Sequence, residues 1–338
     1  MAHQNTAFSP GLPCLTRILI LASGWEYTTV RSILGAILFL CTCVGVQRVF
    51  ALFSSNSRRN NWAVVFFILW PGSMFFLTGY AESLYAPLLV WFFYFVLRKN
   101  FFVAACFASV ALFTRSPAII LAPVLAISVI VDSLRSNGNW KGVRHASLRC
   151  LIYLPVMALG LVGYMILLKL HTGDPLAFQK SYVGWVPYTH GGLDNLAWQG
   201  LVPAFTWNHE WPLPTTVGAL GFLFIPFLIV PYRCRIPLPL VLFVVVGWLF
   251  FLVMDRHHQP FTDMLRWNAV FFPLAFCLSL VLESFAAGVA RLTAFLRIGT
   301  IEGNRDTLTT VFHGAAVVPL LAFQIHVVGR FVQEMWVS

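Results

Sequence analysis

The side chains best suited to chemistry sit at the edges of apolar stretches. Glu82 stands in Trp70-Pro71-Gly72-Ser73-Met74-Phe75-Phe76-Leu77-Thr78-Gly79-Tyr80-Ala81-Glu82-Ser83-Leu84-Tyr85, at the mouth of two of them. A carboxylate at a membrane boundary is costly unless it is solvated, paired or functional. It can face a substrate beside Tyr80, or it can cap the helix that begins there, whose dipole favours an acid. Arg115, in Phe113-Thr114-Arg115-Ser116-Pro117, falls at the next turn on the same side. Its guanidinium can pair with an acid such as Glu82, receive an anion, or snorkel to headgroups.

Two further runs are polar enough to bind something. One is Asp255-Arg256-His257-His258-Gln259-Pro260-Phe261-Thr262-Asp263-Met264-Leu265-Arg266-Trp267. Two histidines beside two aspartates resemble metal ligands, but adjacent His-His seldom turns both rings to one ion, and no metal is expected. A loop that grips phosphate or sugar, with Asp263 and Arg266 as substrate-binding candidates, is one reading; an ordinary polar loop is the other. The second run is Gly173-Asp174-Pro175-Leu176-Ala177-Phe178-Gln179 followed by Trp185, where Gln179 and Trp185 are the candidates. Neither GxGxxG nor GxxxxGK[ST] occurs, which argues against a sugar nucleotide as donor and leaves no cofactor to expect.

The elements that must hold these residues follow from composition. The 338 residues are 59% hydrophobic and 10% charged, with a mean hydropathy of +0.80. A soluble domain carries about 25% charged residues, so a water-soluble enzyme, a disordered tail and a coiled coil are excluded. The expected fold class is all-α, a polytopic transmembrane bundle of about 9–11 membrane segments. Apolar stretches that approach a span lie at roughly 31–53, 62–79, 82–97, 101–114, 117–131, 148–170, 216–232, 236–254, 267–287 and 310–329. A shorter run, 13–23, suits an interfacial or re-entrant helix, and it lacks the pattern of a signal peptide.

Charge gives the orientation. Threading the spans in order puts Arg58, Arg59, Arg98, Lys99, Arg135, Lys141, Arg144, Arg149, Arg233, Arg235, Arg291, Arg297 and Arg305 on one side, 13 of the 22 basic residues. By the positive-inside rule that side is cytoplasmic, and the net charge of +10 is then no sign of nucleic acid. Glu26, Glu82, Asp174, Asp194, Glu210, Asp255, Asp263 and Glu334 fall on the other face. So does the long stretch 171–215, rich in Trp, Tyr, Gly and Pro, which reads as an interfacial aromatic belt or as a platform for saccharide or lipid headgroups. Seven scattered cysteines, none in a CxxC pair, argue against a disulfide framework or a zinc site.

Taken in order, these segments resemble a known family. His3-Gln4-Asn5-Thr6-Ala7-Phe8-Ser9-Pro10-Gly11-Leu12-Pro13 is similar to the segment after the first luminal loop of the PIG-V family, the GPI mannosyltransferase 2 proteins and their bacterial relatives. Trp70-Pro71 through Tyr85 is similar to that family's proline-to-GYSE-type segment, and Thr114-Arg115-Ser116 to its Arg-Ser-Asn-Gly turn, with Pro117-Ala118 in place of Asn-Gly. Gly173 to Phe178 with Trp185 is like the compact bacterial members.

The resemblance covers nearly the whole chain and implies a GT-C-type membrane glycosyltransferase, one transmembrane domain over 1–338. It would move a mannose-like hexose from a polyprenyl- or dolichyl-phosphate carrier to a glycolipid or glycan acceptor at the non-cytoplasmic face. Eukaryotic members add mannose to the GPI precursor in the endoplasmic reticulum; bacterial members would lie in the cytoplasmic membrane. In the family a Trp-Asp pair in the first luminal loop precedes the Ala-Phe-x-Pro segment and supplies the general base. Met1 lies just before that segment here, so the expectation is a chain short of its first span and of that acid, with Glu82 left as the catalytic candidate and Arg115 or Arg266 as phosphate partner. The alternative is an inactive paralogue, or a membrane scaffold or transporter.

Overall fold

The computed structural model describes residues 9–70, 72–180, 212–254, 268–295 and 305–337. Among them there is no strand, and the helices are α1 (Gly11–Ser23), α2 (Tyr27–Ala51), α3 (Ser57–Ile68), α4 (Ala81–Leu97), α5 (Phe101–Thr114), α6 (Leu121–Asn137), α7 (Asn139–Thr172), α8 (Pro212–Ile229), α9 (Leu238–Met254), α10 (Pro273–Phe295) and α11 (Arg305–Val337). Short 3-10 helices, Ser73–Phe76 and Ser116–Ile120, precede α4 and α6. Five stretches, within α2, α6 with its 3-10 lead, α7, α10 and α11, are long and apolar enough to cross a membrane. Five further apolar helices of 10–17 residues lie among them. The protein is a multi-pass helical membrane bundle.

Each apolar stretch read from the sequence contains a helix, with one correction. The stretch 62–79 is not a single element: α3 starts at Ser57, where the Asn56 side chain accepts the Arg59 N–H at 3.0 Å, and stops at Ile68. The chain then enters Trp70-Pro71-Gly72, and a proline removes a donor while pushing the residue before it out of the α region. At 1.5 Å per residue, α3 spans roughly 18 Å, well short of a bilayer core. The short amino-terminal helix is present as α1, which ends at Gly24 with φ +70, whose N–H donates to the Ile20 carbonyl. It packs on α2, α4 and α5.

In lipid there is little hydrophobic drive to bring helices together, so close packing rests on small residues. The inner face of α5 is Ala104, Ala108 and Ala111, all fully buried, against α4 and α7. On α7, a Cβ at Gly160 would collide with the Ser109 carbonyl, which fixes how near these helices come. Phenylalanines fill the remaining centre: Phe50 of α2 meets Phe276 of α10 at 5.1 Å, and Phe93 of α4 meets Phe243 of α9 at 4.9 Å between ring centroids. Between α10 and α11, Ser279 Oγ and His313 Nε2 lie 2.9 Å apart, buried, with the His313 ring stacked on Phe66 of α3.

Candidate functional site

Glu82 is held in place by the turn before it. Gly79 has φ +70, a conformation that a residue with a side chain adopts at a cost. A Cβ there would also run into the Arg31 side chain, which crosses from α2 and donates from Nε to the Thr78 carbonyl at 2.8 Å. Arg31 Nη2 donates to the same oxygen. One turn along α2, Gly35 lies so close to the Leu77 carbonyl that a Cβ would not fit. The Ser83 hydroxyl ties the start of α4 to the Phe75 carbonyl at 3.3 Å. Tyr80 is the backbone N-cap of α4, without a side-chain cap, and its ring meets Phe75 edge-on at 5.6 Å. Glu82 therefore sits in the first turn, where the helix dipole favours an anion, and it is 1% exposed.

Arg115 reaches it from the next turn. α5 ends at Thr114, and Arg115 is extended (φ −153°, ψ 133°) before a 3-10 helix with Pro117 in its first turn. Arg115 Nη1 donates to Glu82 Oε1. Of the roles open to Arg115 in the sequence, this geometry shows pairing with the acid. One helical turn beyond Glu82, Tyr85 lies within the electrostatic reach of both Glu82 and Arg115, is 1% exposed, and its hydroxyl has no hydrogen-bond partner. Residues three apart on a helix share a face, so the Glu-Ser-Leu-Tyr spacing is itself the sequence signal for Tyr85.

Beside this turn a cavity of about 560 Å³ opens between α1, α2 and the Gly79–Ser83 segment. Leu12, Ile20 and Leu34 give it apolar walls, while Arg17, Arg31 and Glu26 bring charge. Glu82 does not line it; its neighbour Ser83 does. Arg17 sits inside an apolar run and has no hydrogen-bond or ion-pair partner among the described residues. A cation placed in such a run is itself a functional signal.

The other candidates separate. The Gly173–Lys180 segment forms a compact turn: Gly173 ends α7 with φ +78, the Leu176 N–H donates to Asp174 Oδ1 at 2.9 Å, and Lys180 Nζ reaches Asp174 Oδ2 at 2.6 Å. Ala177 and Phe178 pack on Tyr164 and Leu168 of α7. Gln179 is exposed there, and no hydrogen bond joins its side chain to Glu82 or Arg115. Trp185, Asp263 and Arg266 lie outside the described residues, as do His257, His258 and the stretch 181–211. Among the described residues, no three His, Cys, Asp or Glu side chains gather as metal ligands would.

No protein-family model matches the chain, and no curated protein is similar to it.

Proposed function

We propose that the protein is an integral-membrane glycosyltransferase that moves a mannose-like hexose from a polyprenyl- or dolichyl-phosphate carrier to a glycolipid or glycan acceptor at the Glu82 end of the bundle. The observation that carries this reading is the buried Glu82–Arg115 pair, whose Glu82 is the chain neighbour of Ser83 on a cavity lined by two arginines. A buried ion pair is weak evidence of stability, because desolvation offsets much of the attraction. Its retention at a helix mouth fits a carboxylate kept for chemistry. The resemblance of the Trp70–Tyr85, Thr114–Ser116 and Gly173–Phe178 segments to the PIG-V family points the same way, and makes the Glu82 end the non-cytoplasmic one.

In this mechanism the acceptor hydroxyl oxygen attacks the anomeric carbon with inversion. Glu82 takes the hydroxyl proton, and the bond from the anomeric carbon to the phosphate oxygen breaks, so that the lipid phosphate departs with its electron pair. Arg115 orients the carboxylate, and a cation near the cavity offsets the growing charge on the leaving phosphate. A cavity walled by Leu12, Ile20 and Leu34 suits the first isoprene units of the carrier beside that phosphate.

Glu82→Gln keeps the shape of the side chain and removes the base. Membranes carrying this variant, supplied with polyprenyl-phosphate mannose and a glycolipid acceptor, are expected to lose transfer while the protein is still inserted at wild-type level. Retained turnover would remove Glu82 from the mechanism. A wild-type chain that transfers no hexose from any lipid-phosphate carrier would favour a scaffold or transporter instead.

A further inference from the structure

At the end of the bundle opposite Glu82, a second cavity of about 760 Å³ lies between the close of α2, the start of α3, the α8–α9 connection and α10. Arg59, Arg235 and Arg291 line it, against one carboxylate, Glu283. That carboxylate is already committed: Arg59 Nε and Nη2 donate to its two oxygens at 2.8 and 2.6 Å. Among the described residues nothing pairs with the side chains of Arg235 or Arg291, and both are exposed. Two uncompensated guanidiniums therefore face one space.

Ser54 gives an independent sign. It lines the same cavity, it is 9% exposed, and its hydroxyl has no hydrogen-bond partner. Buried hydroxyls are nearly always satisfied, so one left open beside two spare guanidiniums points to an oxyanion. Room exists for it: a Cβ at Gly288 of α10 would meet nothing within 4 Å. The inner wall is Phe276 and Phe53, and on the neighbouring faces of α10 the side chains of Phe285 and Leu292 are 57% and 56% exposed. The charged space thus borders an apolar surface of the kind that lies against acyl chains.

We propose that this cavity binds the phosphodiester headgroup of an anionic membrane phospholipid, with Arg235 and Arg291 as its cationic partners and Ser54 as a hydroxyl donor. Basic pockets between transmembrane helices attract such headgroups because the phosphate charge and the basic side chains meet at the depth where hydrocarbon gives way to water. Phosphatidylcholine carries its own cation next to the phosphate and offers no net charge to the two guanidiniums. The site stands apart from Glu82 and does not depend on the glycosyltransferase reading.

The test uses the full chain in phosphatidylcholine nanodiscs with phosphatidylglycerol titrated in, the retained lipid being counted by native mass spectrometry. At least one phosphatidylglycerol is expected to stay bound. The Arg235→Gln/Arg291→Gln variant is expected to weaken this about tenfold or more. Gly288→Leu, which keeps both arginines and fills the space, is expected to block it as well, and it answers for the double variant should that fail to fold. Arg144→Gln, exposed and away from the cavity, should leave retention unchanged. Wild-type affinity in Gly288→Leu, or an equal loss in Arg144→Gln, overturns the proposal. So does displacement of the lipid by inorganic phosphate at matched concentration, which would make this a site for a soluble anion.

Discussion

At one end of the bundle Arg115 meets a carboxylate whose side chain is 2% exposed, while at the other Arg59 meets Glu283 at 18% exposure. The first pair joins the start of α4 to the residue after α5, near Tyr85; the second sits on the wall of a polar cavity among further arginines. Asp132 repeats the second pattern, shared between Arg149 at 2.9 Å and the exposed Lys99 at 2.9 Å. Asp306 repeats it more loosely, 3.6 Å from Arg58 with both side chains mostly exposed. Among the described residues, the basic end thus spreads its acids among several cations, whereas at the Glu82 end a carboxylate 2% exposed meets Arg115. That difference is the one expected if, as proposed above, the Glu82 end carries a reaction and the opposite end meets solvent and lipid charge.

Removing one partner from each pair is the largest test of this contrast. Arg115→Ala takes the guanidinium away from a buried carboxylate, which is expected to cost about 3–5 kcal/mol. Arg59→Ala leaves Glu283 able to find water or Arg291, and is expected to cost about 1 kcal/mol, closer to a surface pair. Thermal unfolding in detergent reads both. The Glu82→Gln/Arg115→Gln double variant should regain most of the stability lost in Arg115→Ala while remaining without transfer activity. Equal losses at the two ends would erase the distinction.

The glycines sharpen it further. Gly79 holds φ +70 with the Arg31 stem where a Cβ would stand, and Gly288 faces open space. Gly79→Ala is expected to destabilise by about 1–3 kcal/mol and to disturb the turn that carries Glu82. Gly288→Ala, inside a helix, is expected to stabilise by up to roughly 0.5–1 kcal/mol. Unfolding midpoints moving in the same direction for both would show that the Glu82 end is no more tightly built than its opposite.

How much of this was legible beforehand depends on whether the information was local. Helices were readable because apolar runs in a chain of 10% charge leave few alternatives, and the break after Ile68 could have been read from Trp70-Pro71-Gly72. Glu82 and Arg115 stood out because charges are scarce near spans, and their pairing was one of the stated options. Tyr85, three residues beyond Glu82, and Arg17, a cation in an apolar run, carried local signals of their own. Arg31 did not: its part depends on α2 meeting the Thr78–Gly79 turn, a contact between segments that no periodicity encodes. The same holds for Arg59 and Glu283, 224 positions apart in the chain. The Gly-Asp-Pro-Leu-Ala-Phe run stood out by composition, and its residues build a capped turn packed on α7.

That turn supplies the smallest and most local test. The hydrogen bond from Lys180 and the Leu176 N–H hold the Asp174 carboxyl below its ordinary value of 3.8. A carboxyl lowered in the folded state adds stability that is fully present above 3.8 and is lost as pH falls through the lower native value. Asp174→Asn keeps an oxygen for the Leu176 N–H and loses the charge, so its unfolding should not share this dependence. The wild type is expected to exceed the variant slightly at pH 6, and the gap should close as the pH drops below the carboxylate range. Because Lys180 is 79% exposed, added salt should shrink the gap at pH 6 as well. A gap that persists unchanged under acid would assign the turn's stability to its backbone geometry and the packing of Ala177 and Phe178, with no contribution from the ion pair.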